Sequence, residues 1–77
     1  MNKSRRIRIA RIIDKIDELM AAVDELRQEE EDAYENLPDS IRESSRGEDM
    51  YDAMDNLENA FGSLEDADNY LNDAMGE

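Results

Sequence analysis

The sequence predicts an all-α protein: an antiparallel two-helix hairpin of coiled-coil type that dimerises into a four-helix bundle. Three observations indicate this fold: apolar residues recur every seven positions in each half, a single proline separates the halves, and the two chain ends carry opposite charges. Heptad spacing of apolar residues is typical of helices that pack along a seam. Because 77 residues hold one small core at most, we interpret residues 1–77 as a single domain.

Isoleucine and leucine recur with heptad spacing in the first half of the chain. This spacing predicts a first helix over residues 4–36, which ends because Pro38 lacks a backbone donor and disfavours helical geometry at Leu37. The predicted seam consists of Ile9, Ile12, Ile16, Leu19, Val23 and Leu26, with Glu30 as a polar interruption. Ile13, Met20 and Tyr34 widen the apolar stripe, which favours a bundle over a two-stranded coil.

The second half predicts a helix over residues 46–75 with a regular repeat. The first place of each heptad is large and apolar, and the fourth is alanine, which lets a partner helix approach closely. Gly62 falls on the outer face, where glycine costs about 1 kcal/mol relative to alanine. These two sets are Met50, Leu57, Leu64 and Leu71, followed by Ala53, Ala60, Ala67 and Ala74.

The predicted connection, residues 37–45, contains two capping signals. Ser45 and Glu48 have the spacing of a capping box, in which each side chain satisfies a backbone N–H group at the helix start. Ser40 and Glu43 have the same spacing, which predicts a short helical turn inside the connection.

A lone hairpin of this size has a marginal core, so the sequence favours a homodimer. Apolar side chains that flank the two predicted seams would stay partly exposed in a single hairpin. The expected oligomer interface consists of Ile13, Met20, Tyr34, Met54, Phe61 and Met75.

The composition argues against an enzyme. The chain has no His and no Cys, which excludes imidazole bases, thiolate nucleophiles, disulfides and the commonest zinc ligands. Two helices form a poor cleft for raising the pKa of a catalytic carboxylate. Asp66, Asp68 and Glu77 match an EF-hand loop in part, but Tyr70 and Leu71 stand where a ligand and a glycine are needed. We therefore predict no catalytic residues, no metal site and no cofactor.

Cellular location is indicated mainly by what the chain lacks. A protein without cysteine suits a reducing compartment, and we expect the cytoplasm of a bacterial host. No apolar run approaches the ~18–20 residues of a membrane span. The basic start is interrupted by Asp14 before it could form the apolar stretch of a secretory signal, so we expect neither signal peptide nor membrane binding.

The net charge of −13 is unevenly distributed. We call the basic start of the chain, which contains Lys3, Arg5, Arg6, Arg8 and Arg11, the basic arm. Residues 47–77 carry ten acids and no base. The arm either contacts a nucleic acid or an acidic partner, or it is neutralised within the hairpin. The second interpretation is favoured, with Glu65, Asp66, Asp68 and Asp73 as the expected partners, so direct nucleic-acid binding is disfavoured.

The acids outside the second seam are the best candidate for partner binding. DNA carries one charge per ~1.7 Å and a helix rises ~1.5 Å per residue, so a densely acidic helix approaches the charge density of a duplex. Such a surface suits a protein partner with a basic face, although it could equally be a solubility coat around a structural homo-oligomer. The candidate residues are Glu48, Asp49, Asp52, Asp55, Glu58, Glu65, Asp66 and Asp73. Arg42 and Arg46, at the tip between the two helices, are the second candidates.

The stretch NLPDSIRESSRGEDMYDAMDNLENAF resembles short, largely uncharacterised acidic proteins of Gram-positive bacteria and their phages or mobile elements. In those proteins an acidic helix leads through a similar turn into a helix with recurring Leu and Ala. The resemblance covers roughly residues 29–64 and brings no catalytic or ligand residues with it. It implies a protein that binds a host protein, as inhibitors of restriction or CRISPR nucleases do.

Overall fold

The structure, a computed structural model, describes residues 1–76, and all regular elements in that range are α-helices. Helix α1 spans Lys3–Glu35, α2 spans Asp39–Arg42 and α3 spans Ser45–Met75. The two long helices pack against each other, and α2 packs on α3. The resulting rod measures 58 × 14 × 12 Å. The predicted all-helical class is therefore confirmed.

Helix α1 has a side-chain cap at its start and a proline shortly after its end. The Asn2 side chain accepts a hydrogen bond of 2.9 Å from the backbone N–H of Arg5, which caps the first turn. At the other end the N–H of Asn36 donates to Asp32 O at 3.1 Å, and Pro38 follows two residues later. A proline at this place prevents the next turn from forming.

The connection contains the expected short helical turn, but the predicted capping box is wrong. Ser44, rather than Ser45, is the N-cap residue of α3, and its hydroxyl makes no hydrogen bond to the start of that helix. The Ser44 hydroxyl donates instead to the carbonyl oxygen of Ile41 in α2. The side chain that could cap α3 is therefore used to tie α2 to the chain that follows.

The contact between α1 and α3 uses a heptad register that differs from the predicted one on both helices. On α3 the residue after each predicted seam alanine, as at Met54 and Phe61, lies in the contact. The residues of the contact are all half-buried. On α1 they are Ile9, Ile13, Ile16, Met20, Val23, Arg27, Glu30 and Tyr34, and Leu37 continues the series just after the helix. On α3 they are Met50, Met54, Leu57, Phe61, Leu64, Asp68, Leu71 and Met75.

Ile12, Leu19 and Leu26, predicted as seam residues, are instead 46%, 55% and 53% exposed. This part of the predicted seam is wrong. A shift of one residue brings Ile13, Met20 and Tyr34 between the helices, and Tyr34 then reaches Tyr51 of α3. The two registers bury similar numbers of apolar side chains, so contacts with α3 decide between them.

Two contacts define how α1 and α3 lie along each other. The rings of Tyr34 and Tyr51 have centroids 6.3 Å apart at 58°, and the carboxyl group of Asp17 lies close enough to that of Asp68 to raise the pKa of Asp17. The same number of residues, 17, separates the two contacts on each helix. As residue numbers rise along α1, the numbers of the residues opposite them on α3 therefore fall.

This register leaves the start of α1 beyond the end of α3. Met75, the last residue of α3, lies seven residues after Asp68 and so is level with Ala10, seven residues before Asp17. Residues 1–8 are all exposed. The first two turns of α1, which contain most of the basic arm, therefore project past the helix pair.

Candidate functional site

The structure brings two acidic segments side by side. Residues 24–35 of α1 carry seven acids and one base, Arg27, and residues 48–58 of α3 carry five acids and no base. The contact of Tyr34 with Tyr51 sets these segments against each other. We call them together the acidic end.

The charge density of the acidic end is close to that of a nucleic-acid duplex. Its twelve carboxylates lie along about 20 Å of the helix pair, at a rise of ~1.5 Å per residue. That is one carboxylate per about 1.7 Å, which matches the spacing of duplex charge along its axis. Arg27 lowers the total by one charge, and Arg42 and Arg46 lie at the tip beyond it.

A shallow groove of about 430 Å³ runs between the helices at the acidic end. Carboxylates stand on both sides of it, on α1 and on α3, and its apolar part is formed by two tyrosines and a methionine. The groove is lined by Arg27, Glu31, Tyr34, Glu35, Arg42, Tyr51, Met54, Asp55 and Glu58. Such a groove suits a cationic side chain, because carboxylates can surround its charge while aromatic faces pack on its stem.

Arg27 is already neutralised within α1. Its Nη1 lies 2.9 Å from Glu31 Oε2, and its Nε and Nη2 both lie 3.1 Å from Asp24 Oδ1. The hydrogen bond that Arg27 donates to Asp24, together with its other contacts with these two carboxylates, raises the pKa of Arg27. Glu35, Asp55 and Glu58 form no ion pair within residues 1–76, so the groove keeps uncompensated negative charge.

The two predicted contact arginines, Arg42 in α2 and Arg46 in the first turn of α3, have different surroundings. Arg42 is half-buried, pairs with Asp39, and its Nε is buried with no hydrogen-bond partner in the described chain. Arg46 is exposed and forms no ion pair among the residues described. Of the two predicted contact residues, Arg46 is therefore the more accessible to a partner.

All eight predicted acids of α3 are exposed, but they do not form one continuous surface. Glu48, Asp49, Asp52, Asp55 and Glu58 belong to the acidic end. Residues 59–64 carry no charge, and the remaining acids, Glu65, Asp66 and Asp73, lie beyond this neutral interval. Sequence reasoning did not include the seven carboxylates of α1 in the candidate surface, although the run from residue 29 to residue 32 was a visible signal.

The predicted neutralisation of the basic arm by α3 is not observed. No ion pair joins Lys3, Arg5, Arg6, Arg8 or Arg11 to the acids of α3 in residues 1–76. The reason is geometric for most of the arm, because Lys3, Arg5, Arg6 and Arg8 lie beyond the last turn of α3. Asp68, one of the expected partners, instead accepts a 2.9 Å hydrogen bond from Asn72 and lies against Asp17.

The residues predicted for an oligomer interface, Ile13, Met20, Tyr34, Met54, Phe61 and Met75, are half-buried along the contact between α1 and α3. Their contact with a second copy stays a prediction. Among residues 1–76 no group of three or more acids is placed to hold a metal ion; Asp66 and Asp68 lie inside α3, and Glu77 lies outside the described residues. None of the described helices combines the length and apolarity needed to cross a membrane.

Comparison with known proteins gives no match to any family model, curated protein or solved structure. The function proposed below therefore depends on the geometry and charge of the acidic end.

Proposed function

We propose that this protein is a non-enzymatic binding module whose acidic end occupies the nucleic-acid site of a basic partner protein and inhibits it. One observation carries the proposal: twelve carboxylates along about 20 Å give the charge spacing of a duplex. A rigid helix pair presents these charges without the entropic cost of ordering a flexible chain.

The groove supplies a specific element of the proposed contact. An arginine or lysine of the partner enters between Glu35 on α1 and Asp55 and Glu58 on α3, none of which has an ion pair in the described chain. Tyr51, 60% exposed, offers its ring face beside that charge. This arrangement distinguishes a docking site from a uniformly charged coat.

The resemblance to short acidic proteins of Gram-positive bacteria, phages and mobile elements suggests the class of target. On that basis we propose a host nuclease of the restriction or CRISPR type as the partner, met in the bacterial cytoplasm. Duplex-like charge on a small protein suits this role, because such nucleases hold nucleic acid in positively charged channels.

The test is affinity capture from bacterial lysate on the immobilised protein, followed by elution with duplex DNA. A captured nucleic-acid-binding protein that DNA releases would support the proposal. In the variant Asp55→Lys/Glu58→Lys we expect the dissociation constant of that complex to rise about 100-fold or more.

The matched control is Asp14→Lys/Glu18→Lys, which changes the net charge by the same amount at exposed positions of α1 outside the acidic end. We expect this control to weaken binding only a few-fold, through long-range attraction. Equal losses in both variants would exclude a localised site. Unchanged binding in the groove variant would exclude the acidic end altogether.

We also propose that α1 and α3 form an antiparallel hairpin that pairs with a second copy into a four-helix bundle. The order of the Tyr34–Tyr51 and Asp17–Asp68 contacts supports the hairpin. The alternative function, a structural homo-oligomer without mimicry, is favoured by the exposed side chains of Ile12, Leu19 and Leu26. Capture of the protein's own copies alone would favour this alternative and leave the acids as a solubility coat.

A further inference from the structure

The helix pair has a second apolar stripe beside the seam, which the contact between α1 and α3 covers only in part: on α3 Ala60 is exposed, and Ala53, Ala67 and Ala74 are half-buried. Ile12, Leu19 and Leu26 are about half exposed and lie seven residues apart on α1, and the series continues at Ala33. On α3 the alanines recur with the same spacing, and Ala67 lies within one residue of the level of Leu19 in the register set by Asp17 and Asp68. The pairs that lie within one residue of level along the rod are Ile12 with Ala74, Leu19 with Ala67, Leu26 with Ala60, and Ala33 with Ala53.

These two series lie on one side of the helix pair, which we call the apolar side. Each member directly precedes a seam residue, as Leu19 precedes Met20 on α1 and Ala60 precedes Phe61 on α3. The groove residues Glu31 and Glu58 instead directly follow a seam residue, so they lie on the opposite flank. In a heptad these two positions flank the seam on opposite sides. The apolar side and the groove are therefore separate surfaces.

We propose that a second copy of this chain covers the apolar side, with the two α1 helices antiparallel and the two-fold axis beside Leu19. This inference rests on the proposed dimerisation and adds its surface and orientation. Leu19 is the midpoint of α1, which spans Lys3–Glu35, so this axis lets the two helices overlap along their whole length. Under the same axis, Ile12 of one copy meets Leu26 of the other, which gives a self-complementary interface.

The opposite charges at the two ends of α1 favour this antiparallel orientation. Helix α1 is polarised: residues 3–11 carry five bases and no acid, whereas residues 27–35 carry five acids and one base. With the axis at Leu19, the basic arm of each copy lies over the acidic segment of the other, and Arg8 is level with Glu30 of the second copy. The arm that α3 does not reach thereby gains carboxylate neighbours. In this dimer the acids of α3 in the groove, Asp55 and Glu58, lie on the opposite flank and stay available to a partner protein.

The competing arrangement places α1 of one copy over α3 of the other, with both connections at the same end. That arrangement covers the apolar side equally well, with Leu19 over Ala67 of the second copy. It also brings the two acidic ends together, twelve carboxylates against twelve, while the basic arms meet at the opposite end. Like charges at both ends disfavour it.

The first test is the mass of the full chain in solution by sedimentation equilibrium at micromolar concentration. We expect twice the chain mass for the native protein and a dissociation constant raised about 100-fold or more by Leu19→Glu, because the interface would bury two unpaired carboxylates at the axis. Tyr70→Glu, at a 75% exposed position of α3 away from the apolar side, is the matched control and should remain dimeric. Circular dichroism checks that both variants stay helical.

Cysteine cross-linking tests the orientation, and the native chain contains no cysteine to interfere. Under oxidation Leu19→Cys should form a disulfide-linked dimer, since the two sulfurs lie beside the axis. A mixture of Leu19→Cys and Ala67→Cys chains should give no mixed disulfide, and Tyr70→Cys should stay uncoupled.

The outcomes separate the proposals. A native protein with the mass of one chain would overturn both the dimer and this inference, and would leave the role of the acidic end to the capture experiment. A dimer that cross-links Leu19→Cys to Ala67→Cys would overturn the orientation alone. A dimer that survives Leu19→Glu would overturn the apolar side as its interface.

Discussion

The backbone of Arg42 lies directly against Gly47, and a Cβ atom at position 47 would be 2.0 Å from the Arg42 carbonyl oxygen. The Arg42 carbonyl carbon and Cα would be 2.5 and 2.7 Å away. Gly47 is also the only buried residue in the described chain. The short helix α2 and the start of α3 therefore meet at a contact that leaves no space for a side chain.

Gly47→Ala should lower the free energy of unfolding by about 3 kcal/mol, because the obstruction is backbone and cannot rotate away. The measurement is urea unfolding followed by far-ultraviolet circular dichroism. All samples have the same protein concentration, so that self-association contributes equally to each. An unchanged midpoint would mean that α2 moves freely away from α3. In that case the connection would not be held as the structure has it.

Gly62 is the natural counterpart, because nothing lies within 4 Å of a Cβ atom built there. Gly62→Ala should raise the free energy of unfolding by about 1 kcal/mol, since alanine restricts the unfolded chain and favours the helix. The same urea experiment measures it. Destabilisation by this substitution would indicate that another molecule packs closely against the outer face of α3.

The helices of this protein could be predicted from sequence more accurately than their contact. Pro38 and the surrounding polar residues limit both helices. The observed helix ends differ from the predicted ones by no more than one residue. The α1 seam could not be chosen, because Ile9, Ile12, Ile13 and Ile16 allow two registers one residue apart. The choice depends on contacts with α3, and no local preference encodes it.

The acidic end illustrates the same limit. The acids of α3 were recognisable as a surface, but their union with the acids of α1 depends on which residues lie level with each other. Tyr34 against Tyr51 sets that relation. The turn of α2 places the first residues of α3 beyond the end of α1. At the opposite end of the rod, the start of α1 therefore extends beyond α3, and most of the basic arm has no α3 neighbour. The residue pattern within one helix does not indicate how far that helix is displaced along the other.

Arg27 occupies a seam position that apolar residues fill elsewhere, and its stem is largely covered, with 29% of the side chain exposed. Arg27→Ala should lower the free energy of unfolding, through lost packing of the stem and renewed repulsion between Asp24 and Glu31. Arg46→Ala removes the same charge at an exposed site without an ion pair in residues 1–76, and should change stability by less than about 0.5 kcal/mol.

Salt separates the two contributions of Arg27. High salt screens the repulsion between carboxylates, so the loss caused by Arg27→Ala should shrink as salt rises but not vanish. The measurement is urea unfolding of both variants and the native chain at low and high salt. A loss that disappears completely at high salt would show that the stem contributes no packing, contrary to its position between the helices.

The carboxyl groups of Asp17 and Asp68 meet across α1 and α3. Their hydrogen bond, followed by partial desolvation and the negative charges of Asp68 and Asp14, raises the pKa of Asp17 above its ordinary value of 3.8. The folded chain therefore binds this proton more tightly than the unfolded chain. By linkage, the free energy of unfolding falls as the pH rises from 3.8 through the raised pKa, and the full loss is present at neutral pH.

Asp17→Asn should therefore raise the urea midpoint at neutral pH, because the amide can donate to Asp68 at every pH and carries no repelling charge. The gain over the native chain should shrink on acidification and be absent below pH 3.8, where the native carboxyl is protonated in both states. Glu18→Gln, which removes the same charge from the next exposed position of α1, is the control for net charge. If both variants gained the same stability at every pH, the effect would be general charge relief, and the contact between Asp17 and Asp68 would contribute nothing to the pH dependence.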